Sequence, residues 1–150
     1  MTTRTPLRIV LVTCAILGLI TLILGIWAFV APMSFFEVLA PFEPYNRHFL
    51  HDAGVLQIGV GVAMLLAAAQ RSPVEVALGG FIAFEALHVV SHVIDRDLGG
   101  RPAFDITALT ILTLAGVAAL VVGRRKHGDT PEPAPTTPAA YVGVKVNGSQ

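Results

Sequence analysis

The chain has 150 residues, of which 54% are hydrophobic and only 13% charged, and its basic and acidic side chains balance to a formal net charge of zero. A soluble domain of this length keeps much of its surface in water and cannot hide that much apolar area, so lipid is the expected solvent, in line with a mean hydropathy of +0.72. The absence of net positive charge, and of any basic stripe interleaved with aromatics, excludes nucleic acid as a partner.

From Ile9 to Val30 no residue is charged. At about 1.5 Å per residue, that run crosses the ~30 Å hydrocarbon core. Arg4 and Arg8 resemble the basic start of a signal peptide, but the apolar run is too long for one and no A-x-A cleavage site follows. The first span is therefore expected at about 7–30, ended by Pro32, with Trp27 near the interface. The single Cys14 lies inside it, can form no internal disulfide, and reads as a small packing residue. Residues 31–45 mix aromatics with prolines and two glutamates, which predicts a short interfacial helix around Phe35 to Leu39.

Three further apolar runs follow. The second is expected at about 46–69, closed by Arg71, Ser72 and Pro73. The third spans about 74–94 and stops at Asp95, Arg96 and Asp97. The fourth spans about 103–122, with Arg124, Arg125 and Lys126 after it. Membrane strands are shorter and alternate in polarity, so the fold class is all-α, an integral membrane four-helix bundle formed by residues 1–126. Residues 127–150, with Pro131, Pro133, Pro135 and Pro138, cannot build a core and are expected to form a disordered cytoplasmic tail.

Four spans put both termini and the loop between the second and third on one side. That side carries Arg4, Arg8, Arg71, Arg124, Arg125, Lys126 and the more distant Lys145, against Arg47, Arg96 and Arg101 on the other. The bias predicts both termini in the cytoplasm of a multi-pass plasma-membrane protein. Gly18, Gly25, Gly54, Gly59, Gly61, Gly79 and Gly80 are expected to let helices approach closely, because spans in lipid associate through small residues.

Ionisable residues inside spans are costly, by about 2.5–3.5 kcal/mol for a central Asp on insertion scales, so each one asks for a reason. Here they cluster. The second span opens Asn46-Arg47-His48-Phe49-Leu50-His51-Asp52, with Gln57 deeper; the third closes with Glu85, His88, His92 and Asp95. At about 100° per residue those four fall on one stripe, and the two antiparallel helices bring both stretches to one depth, in the outer half. Asp105 begins the fourth span on the same side. The candidate ligand-binding set is Asn46, His48, His51, Asp52, Gln57, Glu85, His88 and His92.

Several roles fit such a set. His88 and His92 have the i, i+4 spacing that brings two imidazoles to one metal ion, with Asp52 or Glu85 completing the shell. Two histidines, one from each helix, can also ligate haem, with room provided near Gly54. Without metal, carboxylates and histidines can bind the polar head of a quinone or lipid, or pass protons. A purely structural network that packs the bundle or docks a membrane partner or second copy is the remaining reading. No nucleophile–base pair or cofactor fingerprint identifies a reaction, and no paired broken helices signal a transporter's inverted repeat.

The run Pro44 to Gly54, together with Phe84 to His92, resembles a group of small four-helix bacterial membrane proteins of unknown function that are loosely similar to the DoxX-like proteins. In that group an Asn-x-His-x-x-x-Asp-x-Gly pattern opens the second span and a His-x-x-x-His pattern closes the third. Asn46, His48, Asp52, Gly54, His88 and His92 match. The resemblance covers roughly residues 10 to 122. It implies the same topology and the same polar cluster in a bacterial membrane, and it brings no activity with it.

Overall fold

Helix boundaries follow the chain's punctuation. The structure, a computed structural model, describes residues 4–124; the tail expected at 127–150 lies outside the described residues. Helix α1 runs Arg4–Val30. Ala31 then leaves the helical region because Pro32 follows it, and Pro32 itself starts the short α2, Pro32–Val38. The short helix expected around Phe35 to Leu39 thus begins three residues earlier and ends one residue earlier. It buries Pro32 and Phe35 and leaves Met33 and Val38 exposed.

Helix α3, Arg47–Gln70, begins where the Asn46 side chain accepts from the Phe49 amide at 3.1 Å. That contact satisfies one of the unpaired amides of a first turn. An Asn46→Ala variant should lose about 1 kcal/mol of stability, read by thermal melting in detergent; unchanged melting would mean the cap contributes nothing. Helix α3 ends at Arg71, whose left-handed backbone (φ 57°) turns the chain into α4, Val74–Ile94. Helix α5 is Pro102–Arg124. Helices α1, α3, α4 and α5 are each long and apolar enough to cross a membrane. Among the described residues there is no strand, only an isolated antiparallel bridge between Phe42 and Gly99.

The closest pairing is α1 against α3. Gly18 and Gly25 on α1 meet Gly61 and Gly54 on α3, so that a Cβ at Gly61 would lie 2.7 Å from the Gly18 carbonyl oxygen and one at Gly25 2.7 Å from the Ile58 nitrogen. Each pair of glycines is spaced by two helical turns, which returns both to the same face of its helix. Gly59, Gly79 and Gly80 do not share this role: a Cβ at any of them would meet nothing within 4 Å. Gly116 of α5 instead receives Phe81 and Ile82 of α4.

The apolar core lies at the end of the bundle where α3 turns into α4. Val10, Cys14 and Leu17 of α1 pack there with Met64, Val74, Leu78, Phe81 and Ala119. Cys14 is fully buried and its thiol donates weakly to the Met64 carbonyl, in keeping with a packing role. The outward face of α1 is apolar too: Ile9, Val12, Ile16, Leu19, Ile23 and Ile26 recur at alternating steps of three and four and stay exposed, the pattern of a surface covered by lipid. A second, smaller cluster of Ala28, Phe35 and Leu50, backed by Trp27 and Tyr45, closes the opposite end. Between the two clusters the helices part.

Candidate functional site

That parting is a cavity of about 1140 Å³ that reaches from Thr21 of α1 to Asp95 at the end of α4. Every described helix contributes to its wall, and most of the lining is apolar, with Phe35, Phe36, Phe42, Phe49, Phe84 and Phe104 prominent. Phe49 and Leu56 of α3 and Phe104 and Ile111 of α5 line it while staying more than half exposed, so the cavity opens sideways, where acyl chains would lie.

Helix α4 supplies the polar stripe. Glu85 is only 4% exposed, and its Oε2 has no hydrogen-bond partner among the described residues. One turn along, His88 presents a buried Nδ1 that is equally unpartnered, while its Nε2 lies 3.3 Å from Nε2 of His92. The other nitrogen of His92, Nδ1, lies 3.9 Å from Oδ2 of Asp105. Asp105 is 7% exposed and accepts from the Arg101 amide at 2.8 Å, so it closes the first turn of α5 as well. The order Glu85, His88, His92, Asp105 thus runs from the middle of α4 to the end of the bundle.

Two loops cover that end. The Gly100 amide donates to the Pro41 carbonyl at 3.1 Å, and Arg101 Nη2 donates to the Val38 carbonyl at 2.7 Å. Phe42 stacks edge-on against His92 at 5.4 Å. Its ring leaves no space for a side chain at Gly100, whose positive φ of 72° also suits glycine. The segment joining α2 to α3 is thereby tied to the loop joining α4 to α5.

Helix α3 adds fewer of its polar residues. Gln57 lines the cavity with a buried Oε1 that has no hydrogen-bond partner among the described residues. Asn46 and Asp52 reach the lining near the end of the bundle, where Asn46 caps its helix and Asp52, with a side chain 68% exposed, lies 3.6 Å from His48. The His48 side chain is 87% exposed, and His51 packs against Phe29 of α1 at 5.1 Å; neither lines the cavity. The reason is rotational. Gly54 must face α1, and at about 100° per residue Gln57 falls ~60° to one side of it and His51 ~60° to the other. Only the first side looks into the cavity.

The structure therefore brings together Gln57, Glu85, His88 and His92 and sets His48 and His51 apart from them. Bis-histidine haem ligation between α3 and α4 has no pair of facing imidazoles here, and the seam at Gly54 is filled by Gly25 and Phe29. Among the described residues, no three His, Cys, Asp or Glu side chains group closely enough to hold a metal ion. Asp105 is the member the sequence set omitted. An acid in the first turn of a helix has an ordinary explanation in capping and the helix dipole, and nothing in its spacing shows that it meets His92.

No protein-family model, curated protein or solved structure matches this chain.

Proposed function

We propose that this chain is a multi-pass membrane protein that binds an amphiphile in the cavity, its polar head against Gln57, Glu85 and His88 and its apolar body along Phe49, Leu56, Phe84 and Ile111. One observation carries the reading: three buried polar atoms, Gln57 Oε1, Glu85 Oε2 and His88 Nδ1, lack hydrogen-bond partners among the described residues and belong to residues that line one largely apolar cavity. A buried polar group left unpaired costs about 1–3 kcal/mol, so three in residues around one cavity ask for a ligand that pairs them. The sideways opening supports entry from the bilayer, where an amphiphile is already concentrated. The excess of Lys and Arg at the termini and in the loop between α3 and α4 supports placing both ends in the cytoplasm, with the site in the outer half of a bacterial plasma membrane.

The test is to purify the full chain in mild detergent, extract it with organic solvent and identify retained molecules by mass spectrometry. The expected result is one lipid or quinone class near stoichiometric amount, lost from an Ala108→Trp variant that fills the cavity yet stays folded. Equal retention by both proteins would show that the molecule belongs to the detergent belt and end the proposal.

A second reading rests on its own observation. The 3.3 Å separation of the His88 and His92 Nε2 atoms is what two imidazoles adopt around one tetrahedral ion with bonds of about 2.0–2.1 Å. Water or a ligand head would complete the shell, and the carboxylate of Asp105 beside Nδ1 of His92 would orient that ring. Elemental analysis decides it: about one equivalent of zinc, iron, copper or manganese per chain, lost in a folded His88→Ala/His92→Ala variant, supports the metal; none after growth in metal-replete medium removes it.

A further inference from the structure

Apart from the imidazoles of His88 and His92, the ionisable groups around the cavity are all acidic. Asp52, Glu85, Asp95 and Asp105 line it, and no lysine or arginine does among the described residues. The nearby arginines are engaged elsewhere. Arg101 donates to the Val38 carbonyl and lies over the ring of Phe104 at 4.9 Å, and Arg47 belongs to a separate shallow groove with Glu37 and Tyr45. Of the four carboxylates, Asp52 has His48 beside it and Asp105 has the Arg101 amide and His92. Glu85 differs from both, being deeply buried with an oxygen that has no hydrogen-bond partner among the described residues.

The remaining wall has the complementary chemistry. Phe84 neighbours Glu85 in sequence and lines the cavity with it, and Phe49 lines the same space from α3. Aromatic faces attract a positive charge through the ring quadrupole, more strongly where water is excluded. An anionic head, such as a phosphate or a fatty-acid carboxylate, would instead meet four carboxylates with no lysine or arginine on the described lining to offset them. Resting on the ligand-binding reading above, we propose that the occupant is a lipophilic cation, an amine or quaternary ammonium on an apolar body, whose charge is met by Glu85 and by the aromatic rings.

The experiment uses the full chain in a non-ionic detergent and two ions of the same size and shape, tetraphenylphosphonium and tetraphenylborate, in equilibrium dialysis. A short-chain quinone serves as the neutral probe. Tetraphenylphosphonium should bind saturably near one per chain and at least ~10-fold tighter than tetraphenylborate, because an unmatched charge at a desolvated carboxylate readily exceeds the about 1.4 kcal/mol that makes a tenfold change. Glu85→Gln, which keeps the shape and removes the charge, should weaken the phosphonium at least ~10-fold, whereas Asp97→Asn, at an exposed acid that does not line the cavity, should not. The comparison of the two ions on the unaltered protein needs no variant and decides the sign of the site by itself. Equal or tighter binding of tetraphenylborate overturns the proposal. Saturable quinone binding that Ala108→Trp abolishes, with no phosphonium binding, also overturns it and leaves the amphiphile reading standing. Saturable binding of none of the three removes both.

Discussion

Gly61→Ala is expected to destabilise the bundle by about 3 kcal/mol, the upper end of the usual cost of overpacking. The added methyl would sit 2.7 Å from the Gly18 carbonyl oxygen and from the Leu22 nitrogen, both backbone atoms, and 2.8 Å from the Leu22 Cβ. A side chain can swing aside, but here a whole helix must move. Separation of α1 from α3 also undoes the contact at Gly54, where a Cβ would lie 2.8 Å from the Gly25 oxygen. Lipid offers no hydrophobic drive to restore the pair, so van der Waals contact along the glycine seam is what holds it. Reversible unfolding in mixed detergent micelles measures the loss. Gly79→Ala is the paired control: with nothing within 4 Å of its added methyl, it should be neutral or gain about 0.5–1 kcal/mol from helix propensity. Equal stability of the two variants would show that the seam does not hold α1 to α3.

Glu85→Leu is expected to move stability and binding in opposite directions. In ligand-stripped protein it should raise stability by about 1–3 kcal/mol, because it replaces an unpaired buried carboxyl by an apolar side chain of similar size. The same change should abolish retention of the amphiphile. A structural network predicts the reverse sign, since a carboxyl that bridges helices is missed when it is removed. Micelle unfolding of stripped protein therefore separates the ligand site from the rival view of the chain as a non-catalytic accessory or assembly subunit. Stability traded for function is the usual mark of a binding residue.

The parts of this molecule that depend on one helix at a time are written in its sequence. Hydropathy alone places four runs long enough to span a bilayer, and the described helices Arg47–Gln70, Val74–Ile94 and Pro102–Arg124 begin and end within two residues of those runs. Asn46, Pro32 and the Arg71–Pro73 turn act locally, through a cap, a missing amide and a left-handed residue, and so need no tertiary information. The stripe of Glu85, His88, His92 and Asp95 is equally local, since helical periodicity puts all four on one face, and all four line the cavity.

What one helix presents to another is a different matter, because the rotation of a span about its axis is set by its neighbours. Seven glycines are equivalent candidates for close packing in the sequence; only the tertiary structure selects Gly18, Gly25, Gly54 and Gly61 for the α1–α3 seam and leaves Gly59, Gly79 and Gly80 in the open. That choice fixes the rotation of α3, and with it sends Gln57 into the cavity and His51 out against Phe29. The approach of Asp105 to His92 depends in the same way on how α5 lies along α4. The sequence by itself determined that the chain carries ionisable groups at membrane depth. Which groups of α3 reach the cavity was decided by backbone contact at four glycines, a steric condition that no spacing within a single helix can express.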